Sequence, residues 1–451
     1  MLNLQKIING LYRAIANNLY LLMKLNFSNI NLKYGLFTIY IIVFIIVVMR
    51  PYELTPDSGG YLNIDIYRSA VYPLFLSIIR FFSGHYFYTL TIIVQVLLGV
   101  FSVHFFIKNL KKNIQLNSIF YILLAIILLA PYVYLHRVAN NIMSEALSYP
   151  LYLIVTSFFI SSFINEDKKY LLRGLPILFI LLLTRSQFLF LIPVGILILV
   201  WIIIKKNNLK EHYIVLPAFI LMPLFVSITD KTYHKIMHDH FVSTPWTGIH
   251  LITPAFYVSN TNDFSIYNTN EEKEFFKTIH SALTDQKLNI HELDSTENAT
   301  LFYIANYSNI ANETVFEVGR TLSPEKSDIN TQYIFVDTIT KQMALPLVIK
   351  NFKSWFKIYI GNAVNAFDTK KNLLLYLFIY AFSIFILFKS NTKASKVIVL
   401  ILSLMFLNVF LISIGMHTLK RFTFCNDWVI FLVVFILLDS FNKTLKFNYE
   451  H

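Results

Sequence analysis

The chain is built from long apolar runs that recur from end to end with almost no charge inside them, and this decides what it can fold into. The stretches 86–107, 116–135, 146–164, 187–204, 373–388, 397–415 and 428–438 contain no Asp, Glu, Lys or Arg. A hydrocarbon layer of about 30 Å takes roughly 20 such residues as a helix. Backbone polar groups in lipid must be satisfied within the segment or in a closed barrel, and the runs are continuous rather than alternating, so helices are expected. With 56% hydrophobic and only 14% charged side chains, a soluble globular domain, which carries about a quarter charged residues, is excluded. The expected fold class is an all-α polytopic membrane protein with about ten transmembrane helices, adding 32–49, 171–184 and 213–229 to the stretches above, with interfacial helices in the first outer loop and a small extracytoplasmic domain.

Lysines test the orientation. Lys108, Lys111 and Lys112, then Lys168 and Lys169 with Arg173, then Lys205, Lys206 and Lys210, then Lys389, Lys393 and Lys396, then Lys443 and Lys446 all fall in loops on the side of the N-terminus. The positive-inside rule makes that side cytoplasmic, so both termini are expected inside the plasma (inner) membrane. Residues 1–31 read as a cytoplasmic interfacial segment with Lys and Arg on one side and Leu, Ile and Tyr on the other. The N-terminus has basic residues but no short apolar core before a small-residue cleavage site, so the first span is expected to remain as an anchor. The net charge of +12 sits in these short loops, where it sets topology and meets anionic lipid; no nucleic-acid function follows from it. The one cysteine, Cys425, excludes an intrachain disulfide framework.

The opposite face receives residues 50–86, a short loop around 136–145, the turn at Arg185, a polar segment 230–345 and the loop 417–427. Residues 32–229 form an N-terminal transmembrane module expected to be catalytic. Residues 230–345 have soluble composition, with 271–289 the one clear helical stretch. Residues 346–367 read as an aromatic, basic helix lying at the interface, and 368–451 hold the C-terminal spans. Every arginine except Arg13 and Arg173 lies on or near this face, against the topology rule. Arginines so placed suggest an anionic ligand.

Asp57 follows Pro56 and precedes Ser58-Gly59-Gly60. It reads either as an Asx turn or helix N-cap, or as an acid in a turn whose glycines let a ligand approach the backbone. Glu145 suits the first turn of a helix; its functional reading is a second carboxylate facing the same cleft, positioning an acceptor or helping Asp57 bind a divalent cation. Arg185 stands in a tight turn between two spans, and Lys420-Arg421 just before the last one. Each reads as snorkelling to headgroups or as a clamp on phosphate, which a guanidinium grips with two donors. His234, His238, His240 and His250 form the one metal-like cluster, without the spacing of a zinc site. There is no Walker A loop and no Gly-rich dinucleotide turn.

Asp57 with Tyr61 early in the first outer loop, then Tyr72-Pro73 leading into the second span, Ser144-Glu145, Thr184-Arg185 and the basic-aromatic element before the last span together resemble the GT-C superfamily of membrane glycosyltransferases. The branch is that of bacterial protein mannosyltransferases and aminoarabinose transferases. Many relatives have two adjacent acids where this chain has Asp57-Ser58, and an Arg-Tyr followed by proline where it has Arg421-Phe422; the departures bear on metal dependence and subfamily. The resemblance implies a polyprenyl-phosphate sugar donor, a hydroxyl acceptor on a glycan, lipid or protein, and chemistry on the extracytoplasmic face. It makes Asp57 the general base, with Arg185, Lys420 and Arg421 neutralising the leaving phosphate, Arg68 and Arg137 as further candidates, and Tyr61 in the same site. The rival expectations are a polysaccharide polymerase or ligase and a lipid or glycolipid transporter. Transporters place ionisable groups at mid-membrane, whereas here they collect at the rim.

Overall fold

The structure, a computed structural model, describes residues 31–206, 214–294, 296–324 and 327–450. The interfacial segment expected over 1–31 lies, but for Asn31, outside them. Among the described residues the chain is helical, and its one extended pairing is an isolated parallel bridge between Glu53 and Asn141.

Each expected span falls on a helix. In order these are α1 (Leu32–Val48), α2 (Ser58–Leu62), α3 (Val71–Ser83), α4 (Phe87–Asn113), α5 (Ser118–Ala130), α6 (Glu145–Asn165), α7 (Lys168–Thr184), α8 (Leu191–Lys206) and α9 (Val215–His238). A second group follows: α10 (Thr247–Tyr257), α11 (Asn270–Asp285), α12 (Ala299–Ser308), α13 (Glu317–Arg320), α14 (Ile329–Lys350) and α15 (Phe352–Asn365). The chain ends with α16 (Lys370–Ser390), α17 (Lys393–Gly415), α18 (Lys420–Thr423) and α19 (Trp428–Glu450). Among the described residues seven helical segments are long and apolar enough to cross a membrane: Val71–Asn113, Glu145–Asn165, Ser186–Lys206, Val215–His238, Lys370–Ser390, Lys393–Gly415 and Lys420–Lys443. Leu32–Val48 and Ser118–Tyr134 are apolar but shorter, and α7 starts on two lysines. This is the make-up of a membrane-embedded protein.

Local chemistry sets the breaks. Gly84, at φ 49°, turns the chain between α3 and α4, a conformation glycine adopts without steric cost. Asn117 and Asp167 cap α5 and α7 with their side chains, each taking up a helix N–H that would otherwise lack a partner.

The lysine-rich loops meet at one end of the bundle. Lys396 Nζ reaches Glu166 (2.7 Å), Asn165 bonds Asn113 (2.8 Å), and the Asn117 N–H bonds Asp439 (3.0 Å). The other end gathers the loops that carry the arginines. Between them lies a close-packed core around Phe106, Phe159, Leu181, Ile401 and Trp428. Helices in lipid gain no hydrophobic drive for association, so packing and bonds across helices hold them together. Tyr149 O–H to the Leu128 carbonyl (3.0 Å) and Tyr152 O–H to Asn426 (2.5 Å) are examples.

The polar region, expected to be long enough for a small α-rich domain, holds more helix than was legible. It holds a core of its own, including Ile252, Phe256, Phe276, Ile310, Val336 and Met343, to which α10, α11, α12 and α14 all contribute. More than one helix therefore lies where only 271–289 was legible. Pro346, expected to open the interfacial helix, lies inside α14. The aromatic, basic helix is α15, and it begins after the break at Asn351. Ile358 of α15 is buried in the same core.

Candidate functional site

The site is assembled from three loops and the helix ends they join. Asn140 does the first work. Its Nδ2 donates to the carbonyls of Val47 (3.0 Å), Arg50 (3.3 Å) and Pro51 (3.2 Å), while the Glu53 N–H bonds the Asn140 carbonyl (2.9 Å) and the Ile142 N–H bonds the Glu53 carbonyl (3.2 Å). Residues 50–53 are thereby laid along 140–142. Beneath them Tyr72 donates to Gln95 (2.8 Å), which donates to the Ala139 carbonyl (2.8 Å), so the buried polar groups are paired.

Asp57 stands at the N-cap of α2, but its side chain makes no capping bond. The turn is closed by Ser58, whose Oγ accepts from the Thr55 N–H (2.9 Å). That leaves both Asp57 oxygens for arginines: Oδ1 accepts from Arg68 Nη2 (2.8 Å) and Oδ2 from Arg421 Nη1 (2.6 Å). Glu145, buried in the first turn of α6, takes two cations on Oε1: Arg421 Nε donates to it (2.6 Å) and Arg185 Nη1 lies at 2.6 Å. The result is a row of alternating charge, Arg68, Asp57, Arg421, Glu145, Arg185.

Neighbouring side chains fix its ends. Arg68 lies between two rings, 4.4 Å from the Tyr61 centroid and 4.7 Å from that of Tyr67. Tyr61 O–H pairs with Ser144 Oγ at 2.9 Å. A Cβ on Gly60 would fall 2.6 Å from Arg68 Nε, so the guanidinium approaches only because residue 60 has no side chain. Arg185 leaves α7 in an extended conformation (φ −154°, ψ 118°), and Arg185 and Arg421 lie 5.7 and 5.6 Å from the Phe422 ring.

Burial alone would raise the Asp57 carboxyl. The charges of Arg68 and Arg421 and their hydrogen bonds outweigh it and hold the group at about 2. Three guanidinium groups against two carboxylates leave one positive charge over. Arg68 Nε and Glu145 Oε2 are buried without a hydrogen-bond partner among the described residues, which is a cost unless a ligand or water meets them.

Asp57, Glu145, Arg68, Arg185, Arg421 and Tyr61 thus come together. Arg137 and Lys420 do not. Arg137, at φ 43°, pairs with Glu53 beside the loop clamp, with both side chains well exposed. Lys420 points away to Asp368 (3.1 Å). Tyr67 was not singled out in the sequence, although it adjoins Arg68, and Ser144 was named only in the pair Ser144-Glu145, without the bond to Tyr61. A divalent cation between Asp57 and Glu145 would have to displace the guanidinium groups that occupy three of their four oxygens. The histidines separate: His234 and His238 lie 5.6 Å apart, while His250 bonds Tyr307 (2.6 Å) within the second core. Among the described residues no three His, Cys, Asp or Glu side chains form a metal-binding group.

Fold and site define a class: an all-helical, membrane-embedded protein with a partly buried arginine–carboxylate row at one end of its bundle. Compared with known proteins, the chain matches no family model, no curated protein and no solved structure.

Proposed function

We propose that the chain is an integral-membrane glycosyltransferase of GT-C type, with ten spans and both termini in the cytoplasm, that moves a sugar from a polyprenyl-phosphate donor to a hydroxyl acceptor on the extracytoplasmic face. The observation that carries this reading is the convergence of Asp57 and Glu145 with three arginines that exceed them by one positive charge. A carboxylate and a cationic surplus, at one rim of an apolar bundle, are what displacement at a lipid-linked anomeric carbon requires.

In the reaction the acceptor oxygen forms a bond to the anomeric carbon as Asp57 takes its proton. The bond from that carbon to the phosphate oxygen breaks, and its electron pair leaves with the phosphate. Phosphate is a good leaving group, so no second carboxylic acid is needed, in contrast to glycoside hydrolysis. Arginines aimed at the leaving oxygen stabilise its growing charge. Glu145 holds Arg185 in place by charge and Arg421 by charge and hydrogen bond. The donor arrives attached to a lipid because cytoplasmic nucleotide sugars do not reach this face.

The test is transfer from polyprenyl-phosphate sugars by the purified protein. Asp57→Asn lowers the rate by about 10²–10⁴-fold, the usual worth of a general base, while the protein is still made and inserted. Full activity in that variant would sink the assignment of Asp57.

A further inference from the structure

Arg421 holds two places in the row that one guanidinium cannot keep once an anion arrives. Its Nη1 is on Asp57 Oδ2 and its Nε on Glu145 Oε1, both at 2.6 Å. Each acid also has an arginine of its own: Asp57 has Arg68 at 2.8 Å and Glu145 has Arg185 at 2.6 Å. Arg421 is the arginine that the two acids share, and without it the row is two neutral pairs, Arg68–Asp57 and Arg185–Glu145. It is also the most accessible of the three, its side chain 35% exposed against 15% for Arg68 and 13% for Arg185.

We propose that Arg421 is a displaceable arginine: the donor's phosphate draws it away from Asp57, so the carboxylate becomes an effective base only after the donor has bound. This rests on the reading of the row as a lipid-phosphate site. The backbone supports such a swing. Phe422 is buried beside Arg421, and its carbonyl accepts from Gln187 (3.4 Å) and Asn408 (3.3 Å). The main chain is pinned while the side chain is free to change partners. The change of partners also has a chemical consequence. A carboxylate held by two arginines is a poor proton acceptor, and one held by Arg68 alone in the same part-buried place is a better one. A site so arranged cannot activate a hydroxyl or a water before a donor is present to receive it.

A double-mutant cycle on Asp57→Asn and Arg421→Gln tests this, read as the melting temperature of the purified protein with polyprenyl phosphate, with polyprenol as neutral control, or with neither. Should Arg421→Gln fail to fold, Arg421→Met, which also removes the charge but keeps an unbranched apolar side chain, completes the cycle. The expected result is a clearly non-additive pair of shifts without lipid phosphate and additive shifts with it. Coupling that persists while polyprenyl phosphate stabilises the wild type would overturn the displacement and leave the phosphate site standing. Additivity without lipid would overturn the displacement as well. No stabilisation by polyprenyl phosphate beyond that of polyprenol would overturn the site and the displacement together.

Discussion

Arginine is not interchangeable from one position to another on this face, and the pairings say which ones matter. Arg185 shares Glu145 with Arg421, whereas Arg137 meets only the exposed Glu53. Arg185→Gln is expected to weaken use of the lipid donor by about 10- to 100-fold, the scale of one charge-assisted bond. Arg137→Gln is expected to leave donor use unchanged, since an exposed ion pair contributes little. Donor titrations of the two variants compare them directly. Asp57 makes a prediction about acid. Its folded carboxyl lies at about 2, below the ordinary Asp value near ~3.9, so between these values the unfolded chain binds the extra proton. The stabilisation is therefore complete above about pH 4 and is lost as pH falls toward about 2. Melting curves should show wild type and Asp57→Asn differing by a constant amount above about pH 4 and converging as pH falls toward about 2.

At the level of elements, the loop clamp and the helix ends it positions act together. Asn140→Ala removes bonds to three carbonyls at the end of α1. A cost of about 1–3 kcal/mol follows from leaving buried acceptors unpaired, with a fall in transfer activity because Asp57 is no longer held opposite Arg421; thermal unfolding and the transfer assay measure the two effects separately. Much of this level was legible beforehand. Apolar runs marked the helices; Glu145, Arg185 and Arg421 stood out near the ends of such runs, and Asp57 stood out in its turn between Pro56 and the two glycines. Their pairing was not legible, because adjacent side chains such as Lys420 and Arg421 point to different partners, Asp368 and the carboxylates. The second core was also hidden. Its helix α14 carries a proline within it, and although Val336, Ile339, Met343 and Leu347 recur at helical spacing, Ile329, Leu345 and Ile349 lie exposed on the same helix, so the buried stripe does not stand out from its surroundings.

For the whole molecule, sidedness is the consequential property. The lysine-rich end and the arginine-rich end lie across the bundle from each other, and the second core adjoins the latter through the Tyr67–Tyr333 ring stack (centroids 4.8 Å apart). Since the native Cys425 is buried, a cysteine at the exposed Asn262 is a clean reporter. Asn262→Cys is expected to react with an impermeant maleimide added to intact cells; labelling only after the cells are broken would reverse the topology.

The order of synthesis gives the row a further property. Asp57, Arg68, Glu145 and Arg185 all emerge from the ribosome within the first half of the chain, and by themselves they make two matched pairs. Arg421 arrives 364 residues after Asp57. A nascent chain that stops short of residue 421 thus carries matched charges among these four side chains and lacks the third arginine. On the proposed reading of the row as a lipid-phosphate site, only a chain translated past Arg421 takes up donor.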